Sequence, residues 1–540
     1  GWNKYLLGSY EQNEDGSYSY TTNRVGNEVS TDLNSTNETA GDRRIYLEAM
    51  VDYNRTFGRH DVNAMLLYNQ DELVNNVPGN NLINSLPKRK QGLAGRLSYA
   101  YDGKYMAEVN MGYNGSENFA KGHRWGFFPS IALGYNISEE SFFEPLRKVI
   151  TSMKLRGSWG LVGNDQIGGE RFIYMPTINL SGKGFTTGID QNYGLSGPVY
   201  TRYENNSITW EVGEKINLGI DLQLLNSLNI VVDIFRETRR DIFQKKGTIP
   251  TYLGTGNTDV FGNLAEMKNQ GLDLSIDYNK AFSKDFYMNF KGTFTYAHNE
   301  ITKYDEAPKY AFQSKVGQSA NVSQGYLSNG LFLDEAEIDR YNQQMGSTLG
   351  AGDIKYLNVS NMHGYGDDIV DVDDWTWIGN PTVPEIVYGF GPSFKYKNWD
   401  FSFFFQGVAK TSLFMSGFHP FGDNSLRNVL QFVANDRWSP TNQNVDAKYP
   451  RLTRKTSLNN TNPGNSGRTS DYWMRDGSFL KLKNMELGYT FKRMRFYISG
   501  SNLLTFSKFD LWDPEQGGGS GLKYPTQRVF NVGFQMTFNN

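Results

Sequence analysis

The sequence predicts an all-β chain, a transmembrane antiparallel β-barrel with about sixteen strands, long extracellular loops and short periplasmic turns. Three observations predict it. Apolar and polar residues alternate in one segment after another; the connections between these segments are alternately short and long; and no stretch reaches the length of apolar sequence that a membrane-crossing helix needs.

In chain order, a first strand is expected near 4–11 (KYLLGSYE). At 45–57, Ile45, Leu47, Ala49, Val51 and Tyr53 alternate with Glu48, Asp52 and Asn54. At 105–114, Tyr105, Ala107, Val109, Met111 and Tyr113 face away from Glu108, Asn110 and Asn114. Ile216, Leu218, Ile220, Leu222 and Leu224 alternate with Lys215, Asn217, Asp221 and Gln223, and Leu272, Leu274, Ile276 and Tyr278 with Asp273, Ser275 and Asp277. Phe286, Met288, Phe290, Phe294 and Tyr296 alternate with Asn289, Lys291, Thr293 and Thr295. The chain closes on RVFNVGFQMTFNN, with Phe530, Val532, Phe534, Met536 and Phe538 on one face. A period of two puts each apolar set on one side of a strand.

Short turns are expected at 58–60, 102–104, 226–227, 283–285, 397–398 and 492–493. Long connections are expected at about 71–89, 164–208, 244–260, 301–382, 413–477 and 508–526. The broken helical stretch SEESFFEPLRKVI (138–150) takes a short-side slot. Counting back from the last strand puts every short connection on the periplasmic side. In hydrocarbon an unpaired backbone N–H or C=O costs several kcal/mol, so a sheet stays there only if it closes. Glu48, Asp52, Glu108, Asp221, Asp233, Asp273 and Lys291 then face a polar, filled or hydrated lumen. The aromatic near the C-terminus resembles the signal read by outer-membrane assembly machinery.

Composition agrees. Across 540 residues, 54 Lys and Arg against 57 Asp and Glu leave a net charge of −3, which argues against a nucleic-acid binder. The mean hydropathy is −0.56, as expected when only alternate strand residues meet lipid. Cysteine is absent, so thiol catalysis, disulfides and Cys-based zinc sites are excluded. The 33 Tyr, 35 Phe, 10 Trp and 57 Gly, against 17 Pro, fit β structure with long polar loops.

Several ordered runs resemble the barrel of SusC/RagA-type TonB-dependent transporters. They include GRLSYAYDGKYMAEVNMGYNGSENF and HRWGFFPSIALGYNISEE within 95–140, KLRGSWGLVGN (154–164), ITWEVGEKINLGIDLQLLN (208–226) and GNLAEMKNQGLDLSIDYN (262–279). Further runs are IGNPTVPEIVYGF (378–390), DRWSP (436–440), YWMRDGSFLKLKNMELGYTF (472–491), GSNLLTFSKFDLWDPE (500–515) and the closing YPTQRVFNVGFQMTF. The resemblance implies a bacterial outer-membrane barrel of about 22 strands around an N-terminal plug. Residues 1–540 would be its C-terminal part, with the plug and about six first strands outside this chain. It also implies a SusD-like surface lipoprotein as partner, a dimer of such pairs, and a TonB complex acting through the missing N-terminal region. Import of a large nutrient follows, glycan fragments first and oligopeptides second. Two other readings stay open: a passive sixteen-stranded diffusion porin, and a surface glycan-binding protein or hydrolase.

No HExxH, P-loop or GxSxG motif is present, so no enzyme activity is expected. With five His and no Cys, a catalytic site would have to be a carboxylate pair in a loop. Transport itself needs no cofactor. Related transporters carry a calcium-loop-like D-x-N-x-D-G-x-I-D stretch where this chain has HGYGDDIVDVDDW (363–375). Aligned from the following IGNP, His363 stands at the first Asp, Tyr365 at the Asn and Asp368 at the Gly, while Asp367, Asp371 and Asp374 remain as oxygen donors. The resemblance thus implies a calcium ion in this external loop, and the departures point instead to a hydrogen-bonded acidic loop. Trp375, Trp377, Trp438, Tyr472, Trp473 and Trp512 lie in or beside long loops. They are the substrate-binding candidates, as faces for stacking on sugars, with loop packing as the alternative. GGGSG (517–521) reads as a loop tip.

Overall fold

The computed structural model describes residues 4–25, 41–77, 82–250, 252, 259–341, 349–365, 368–417, 421, 429–453, 459–460 and 469–538. Its main feature is one fifteen-stranded sheet in which every strand pairs with its neighbours in sequence. The wall strands are β1 (Asp42–Phe57), β2 (His60–Asn75), β3 (Lys88–Tyr101), β4 (Tyr105–Ser116), β5 (Trp125–Asn136), β6 (Ile150–Asn164), β7 (Glu211–Leu224) and β8 (Leu228–Lys245). They continue as β9 (Phe261–Ala281), β10 (Phe286–Lys303), β11 (Ile386–Tyr396), β12 (Trp399–Ala409), β13 (Phe479–Phe491), β14 (Met494–Ser507) and β15 (Val529–Met536). All the pairs are antiparallel. The strand expected near 4–11 exists as Lys4–Gln12, but it pairs with Tyr18–Val25 in a separate hairpin and not with the wall. Alternation identifies a strand; it does not identify its neighbour.

The register carries the expected two faces around the wall. One row of cross-strand partners runs Leu97, Val109, Ile131, Trp159, Ile216. All five are exposed. The adjacent row, on the other face, runs Ser98, Glu108, Ala132, Ser158, Asn217. Exposed apolar rows on a sheet of this size are what lipid covers. Near the short turns the outward row is aromatic from strand to strand: Phe286, Tyr396, Trp399, Tyr489, Phe496, Phe534. Across β4 and β5, Tyr105 and Tyr135 stack with ring centroids 5.1 Å apart. This is the aromatic girdle of a membrane–water interface. At the opposite end the outward row becomes charged, with Arg89 beside Glu72 at 2.7 Å and Arg240 beside Glu214 at 3.7 Å.

The connections sort by side, as expected. One side has 58–59, 102–104, 137–149, 225–227, 282–285, 397–398 and 492–493; the other has 76–87, 117–124, 165–210, 246–260, 304–385, 410–478 and 508–528. The two-residue turns place Lys397 and Lys492 at φ 50° and 56°, the left-handed geometry that matches strand twist. Because connections alternate along an odd number of strands, β1 and β15 run in the same direction. Direct pairing of these two edges would be parallel, against every other pair in the wall.

The faces make a test. Leu274 lies mid-row on the outward face of β9 and Ser275 on the inward face. Leu274→Lys is expected to cost about 2–4 kcal/mol of assembled barrel, and Ser275→Lys much less. Heat-modifiable electrophoretic mobility of the full-length protein in outer membranes reads the difference.

Candidate functional site

The inward face is cross-braced by ion pairs. Arg156 on β6 reaches Asp221 on β7 at 2.7 Å and Asp233 on β8 at 3.1 Å. Gly219 leaves the room for it: a Cβ there would fall 2.6 Å from Asp233 Oδ1 and 2.9 Å from Arg156 Cζ. The same device recurs at β12–β14, where Arg495 bridges Asp400 (3.0 Å) and Glu486 (2.5 Å) across Gly488. Arg96 pairs with Glu108 at 3.2 Å, and Asp273 accepts from the Thr295 hydroxyl at 2.7 Å. Thus Asp221, Asp233, Glu108 and Asp273 are engaged within the wall, whereas the sequence left them facing only a wet lumen. A recess of about 590 Å³ opens on this face among Asn63, Ser98, Glu108, Lys154, Arg156 and Asn217.

At the long-loop side the connections have cores of their own. Phe119, Ile173, Ile208, Trp210 and Phe261 pack together over inward Phe128. A larger core joins the connections 304–385, 410–478 and 508–528 through Tyr326, Tyr356, Val370, Met415, Trp473 and Phe509. Buried polar groups fasten it. Asp353, fully buried, accepts from Arg451 (2.9 Å), Asn460 (2.7 Å) and the Gly350 amide (2.9 Å). Burial pushes the Tyr449 phenol up to about 12 and raises Tyr472 as well, so both stay neutral. Lys481, on inward-facing β13 and fully buried, donates to Asp513 (2.5 Å) and Glu515 (2.7 Å), pinning the last long loop to the wall.

This loop core decides most of the candidate aromatics. Trp438 (5% exposed) and Trp473 (0%) are core residues and present no ring face to a ligand, a correction to their reading as stacking platforms. Tyr472 packs on the same core and donates to the Ala447 carbonyl at 2.7 Å. Trp512 packs edge-on against Phe509 at 4.5 Å and donates to the Gly517 carbonyl. Trp377 sits in a short strand, Thr376–Ile378, and donates to the Ser314 carbonyl at 2.8 Å. Trp375 is half-buried against Tyr326 and borders a recess. The structure therefore does not gather these residues into one binding face.

Of the calcium candidates, Asp367 lies outside the described residues. Asp371 and Asp374 form a reciprocal cap on the turn Val372–Asp374; Asp371 accepts from the Asp373 amide, and Asp374 from the amides of Asp371 and Ser360. Among the described residues no three His, Asp or Glu side chains converge as a metal site. Asp371 Oδ1 and both oxygens of Asp374 are thus engaged by backbone amides, the arrangement of a hydrogen-bonded acidic turn.

The family model for TonB dependent receptor-like β-barrels matches residues 1–503. The chain belongs to this family. TonB-dependent receptors of this group are outer-membrane β-barrel proteins, and that is where this chain resides. It is similar to TonB-dependent receptor P3 of Formosa agariphila, 25% identical over 95% of this chain and 54% of that protein. It is also similar to TonB-dependent receptor SusC of Bacteroides thetaiotaomicron, 28% identical over 82% of this chain and 43% of that one. The chain spans about half the length of the curated relatives it matches. Among solved structures the RagAB peptide transporter shares the fold, with a TM-score of 0.66 at 19% identity, over 92% of this chain and 56% of that one.

Sequence reasoning missed Lys481, Asp513, Glu515, Asp353 and Arg451. One signal was available: Lys481 and Lys483 stand at period two near the outer end of a strand, ahead of the loop containing WDPE. In this family member, burial pushes the Asp513 and Glu515 carboxyls up, but bonds from Lys481, joined by the Glu515 amide at Asp513 and by Lys483 at Glu515, outweigh it and hold both below the ordinary carboxylate range. Such groups stabilise the loop above the usual carboxylate pKa and lose that contribution as pH falls through the depressed value. Limited proteolysis of the 508–528 loop is therefore expected to stay slow from neutral pH to about pH 4 and to accelerate below. Lys481→Met strands Asp513 and leaves Glu515 to Lys483 alone, and is expected to open the loop at neutral pH, at a cost of about 3–5 kcal/mol.

Proposed function

We propose that this chain forms the greater part of the barrel wall of a TonB-dependent importer that takes a large nutrient across the outer membrane. The observation that carries it is the two-faced wall: apolar outward between an aromatic rim and a charged rim, ion-paired inward, and capped on one side by loops with packed cores. Membership in the receptor family supports active import. The cargo is a glycan fragment; an oligopeptide is the second reading, favoured by the resemblance to the RagAB peptide transporter. The relationship to SusC supports a SusD-like lipoprotein docking on the packed long-loop side, with such pairs forming a dimer.

The wall's edges support a larger assembly. β1 and β15 run the same way, so antiparallel closure needs an odd number of further strands between them. An expected total of about 22 supplies seven, one more than the sequence count required because Lys4–Gln12 is not a wall strand. A plug inside the closed wall would then be the element on which TonB acts. A passive porin is the weaker reading, since the loops here are cored and tied to the wall by Lys481. A hydrolase is weaker still: the buried loop acids Asp353 and Asp374 are held by hydrogen bonds, not poised for acid–base work.

The test is uptake of labelled oligosaccharide by cells expressing the full-length protein, with and without a functional TonB complex. Active import predicts that uptake is abolished without TonB while surface binding persists. Uptake unchanged by loss of TonB contradicts it.

A further inference from the structure

The short-turn rim is uneven. The turns 58–59, 102–104, 397–398 and 492–493 are brief and polar, reading Gly58-Arg59, Asp102-Gly103-Lys104, Lys397-Asn398 and Lys492-Arg493. The connection 137–149, between β5 and β6, is far longer and holds two short helical turns, Ile137–Glu139 and Ser141–Leu146. Within it Phe143 is buried, whereas Phe142 (67%), Leu146 (52%) and Val149 (56%) stand exposed. The next two short connections add Leu225 (59%) and Phe282 (51%). These three connections are linked through the backbone. The Leu225 amide donates to the Val149 carbonyl at 2.8 Å, and the Asn279 amide, near the end of β9, donates to the Ser227 carbonyl at 2.7 Å. An apolar patch therefore runs along the rim from β5 to β10. Single exposed apolar residues are ordinary, but a contiguous patch marks a surface that something other than water covers.

Two attachments fix where the patch lies. At one end the Glu140 carboxylate accepts from the Tyr105 hydroxyl at 2.6 Å, with the Lys104 ammonium 3.6 Å away. Tyr105 stacks on Tyr135 in the outward aromatic row. At the other end Phe282 stacks on Phe286, a member of the same row, with ring centroids 5.4 Å apart. The patch is thus fastened to the lipid-facing side of the wall, and it continues that apolar surface past the aromatic girdle. Leaving it in water is unfavourable in proportion to its apolar area. The charges nearby are of both signs: Glu139, Glu144, Arg147 and Lys148 are exposed among the apolar residues. A phospholipid headgroup of phosphate and ammonium offers both complements.

We propose that this sector of the rim, the connection 137–149 with Leu225 and Phe282, is seated in the periplasmic leaflet of the outer membrane. Phe142, Leu146 and Val149 lie among the acyl chains just beneath the headgroups, as the apolar face of an interfacial segment does. Arg147 and Lys148 meet lipid phosphate, and Glu139 and Glu144 meet lipid ammonium. The apolar band of the wall is then deeper along β5–β10 than along β11–β15, where Lys397, Lys492 and Arg493 follow the girdle aromatics directly. A band of unequal depth is accommodated by tilting the barrel or by deforming the bilayer around it. The connection is thus a lipid anchor that sets how deep and at what lean the barrel sits. The inference goes beyond the import reading and is independent of the cargo.

The experiment uses the full-length protein, with any cysteine elsewhere replaced, in vesicles of phosphatidylethanolamine and phosphatidylglycerol. The single variants Phe142→Cys, Leu146→Cys and Asn398→Cys are labelled with a polarity-sensitive fluorophore. Asn398→Cys is the control, on a polar turn of the same rim. Two quenchers are compared: iodide on both sides of the membrane, and a phospholipid with a nitroxide near the head of one acyl chain. The changes fall on exposed side chains, and heat-modifiable mobility confirms that each variant is folded. At 142 and 146 the nitroxide lipid is expected to quench several-fold more than at 398, and iodide several-fold less. Iodide quenching equal to that at 398 overturns the anchor, because the patch then meets water. Shielding from both quenchers overturns it too, because the cover is then protein, whether another part of the same polypeptide or a second copy.

Discussion

The structure depends on the backbone hydrogen bond in a medium without water. A strand in hydrocarbon must give every N–H and C=O to a neighbour, because each one left over costs several kcal/mol. From that follow the antiparallel ladder from Asp42 to Met536, the confinement of most irregular chain to the two rims, and the alternation of the side chains, which slips only at bulges such as those at Arg239/Ile242 and Leu482/Asn484. With backbone groups satisfied in pairs, only side chains decide which face meets lipid. Leu97, Val109, Ile131 and Ile216 settle that for one row, and Ser98, Glu108, Ser158 and Asn217 for the row beside it.

The inward face and the long loops use charge differently. Along the wall, arginines reach across glycines to carboxylates on neighbouring strands, so the lumen side is braced without bulky side chains. Where the loops meet the wall, Asp353 and Lys481 are taken out of water, while their partners Arg451, Asp513 and Glu515 keep part of their surface exposed. A buried ion pair gains little over an apolar pair of the same shape, but breaking it strands a charge. Such pairs therefore specify where a loop sits more than how firmly it folds. A rim positioned in this way gives a fixed surface on which a partner protein or a cargo can be recognised.

Much of the wall was legible in the sequence because a strand half in lipid needs period two, and tight turns need particular backbone geometry. The short connections, the outward apolar rows and the aromatic-rich inner rim follow from those requirements. Strand neighbours are less legible: Lys4–Gln12 has a strand's pattern, but its partner is set by contacts that alternation does not encode. The candidate site was legible only in part. Trp438 and Trp473 look in sequence like the other loop tryptophans, and only the folded loops separate buried rings from bordering ones. Asp353 finds Arg451 98 residues away, a spacing that no local pattern announces. Asp371 and Asp374 read in sequence as oxygen donors for a cation; that they cap a turn depends on local backbone direction.

The central claim is that alternate residues of each wall strand meet lipid. These 540 residues contain no cysteine, so, with any cysteine elsewhere in the full-length protein replaced, a direct measurement is available. Single cysteines placed in turn through Val529–Met536 of the full-length protein, spin-labelled and reconstituted in liposomes, report local access to oxygen and to a water-soluble nickel chelate. The account predicts a two-residue oscillation, with oxygen access high at 530, 532 and 534 and low at 531, 533 and 535. Access that varies without that period, or that oscillates with the opposite phase, contradicts it.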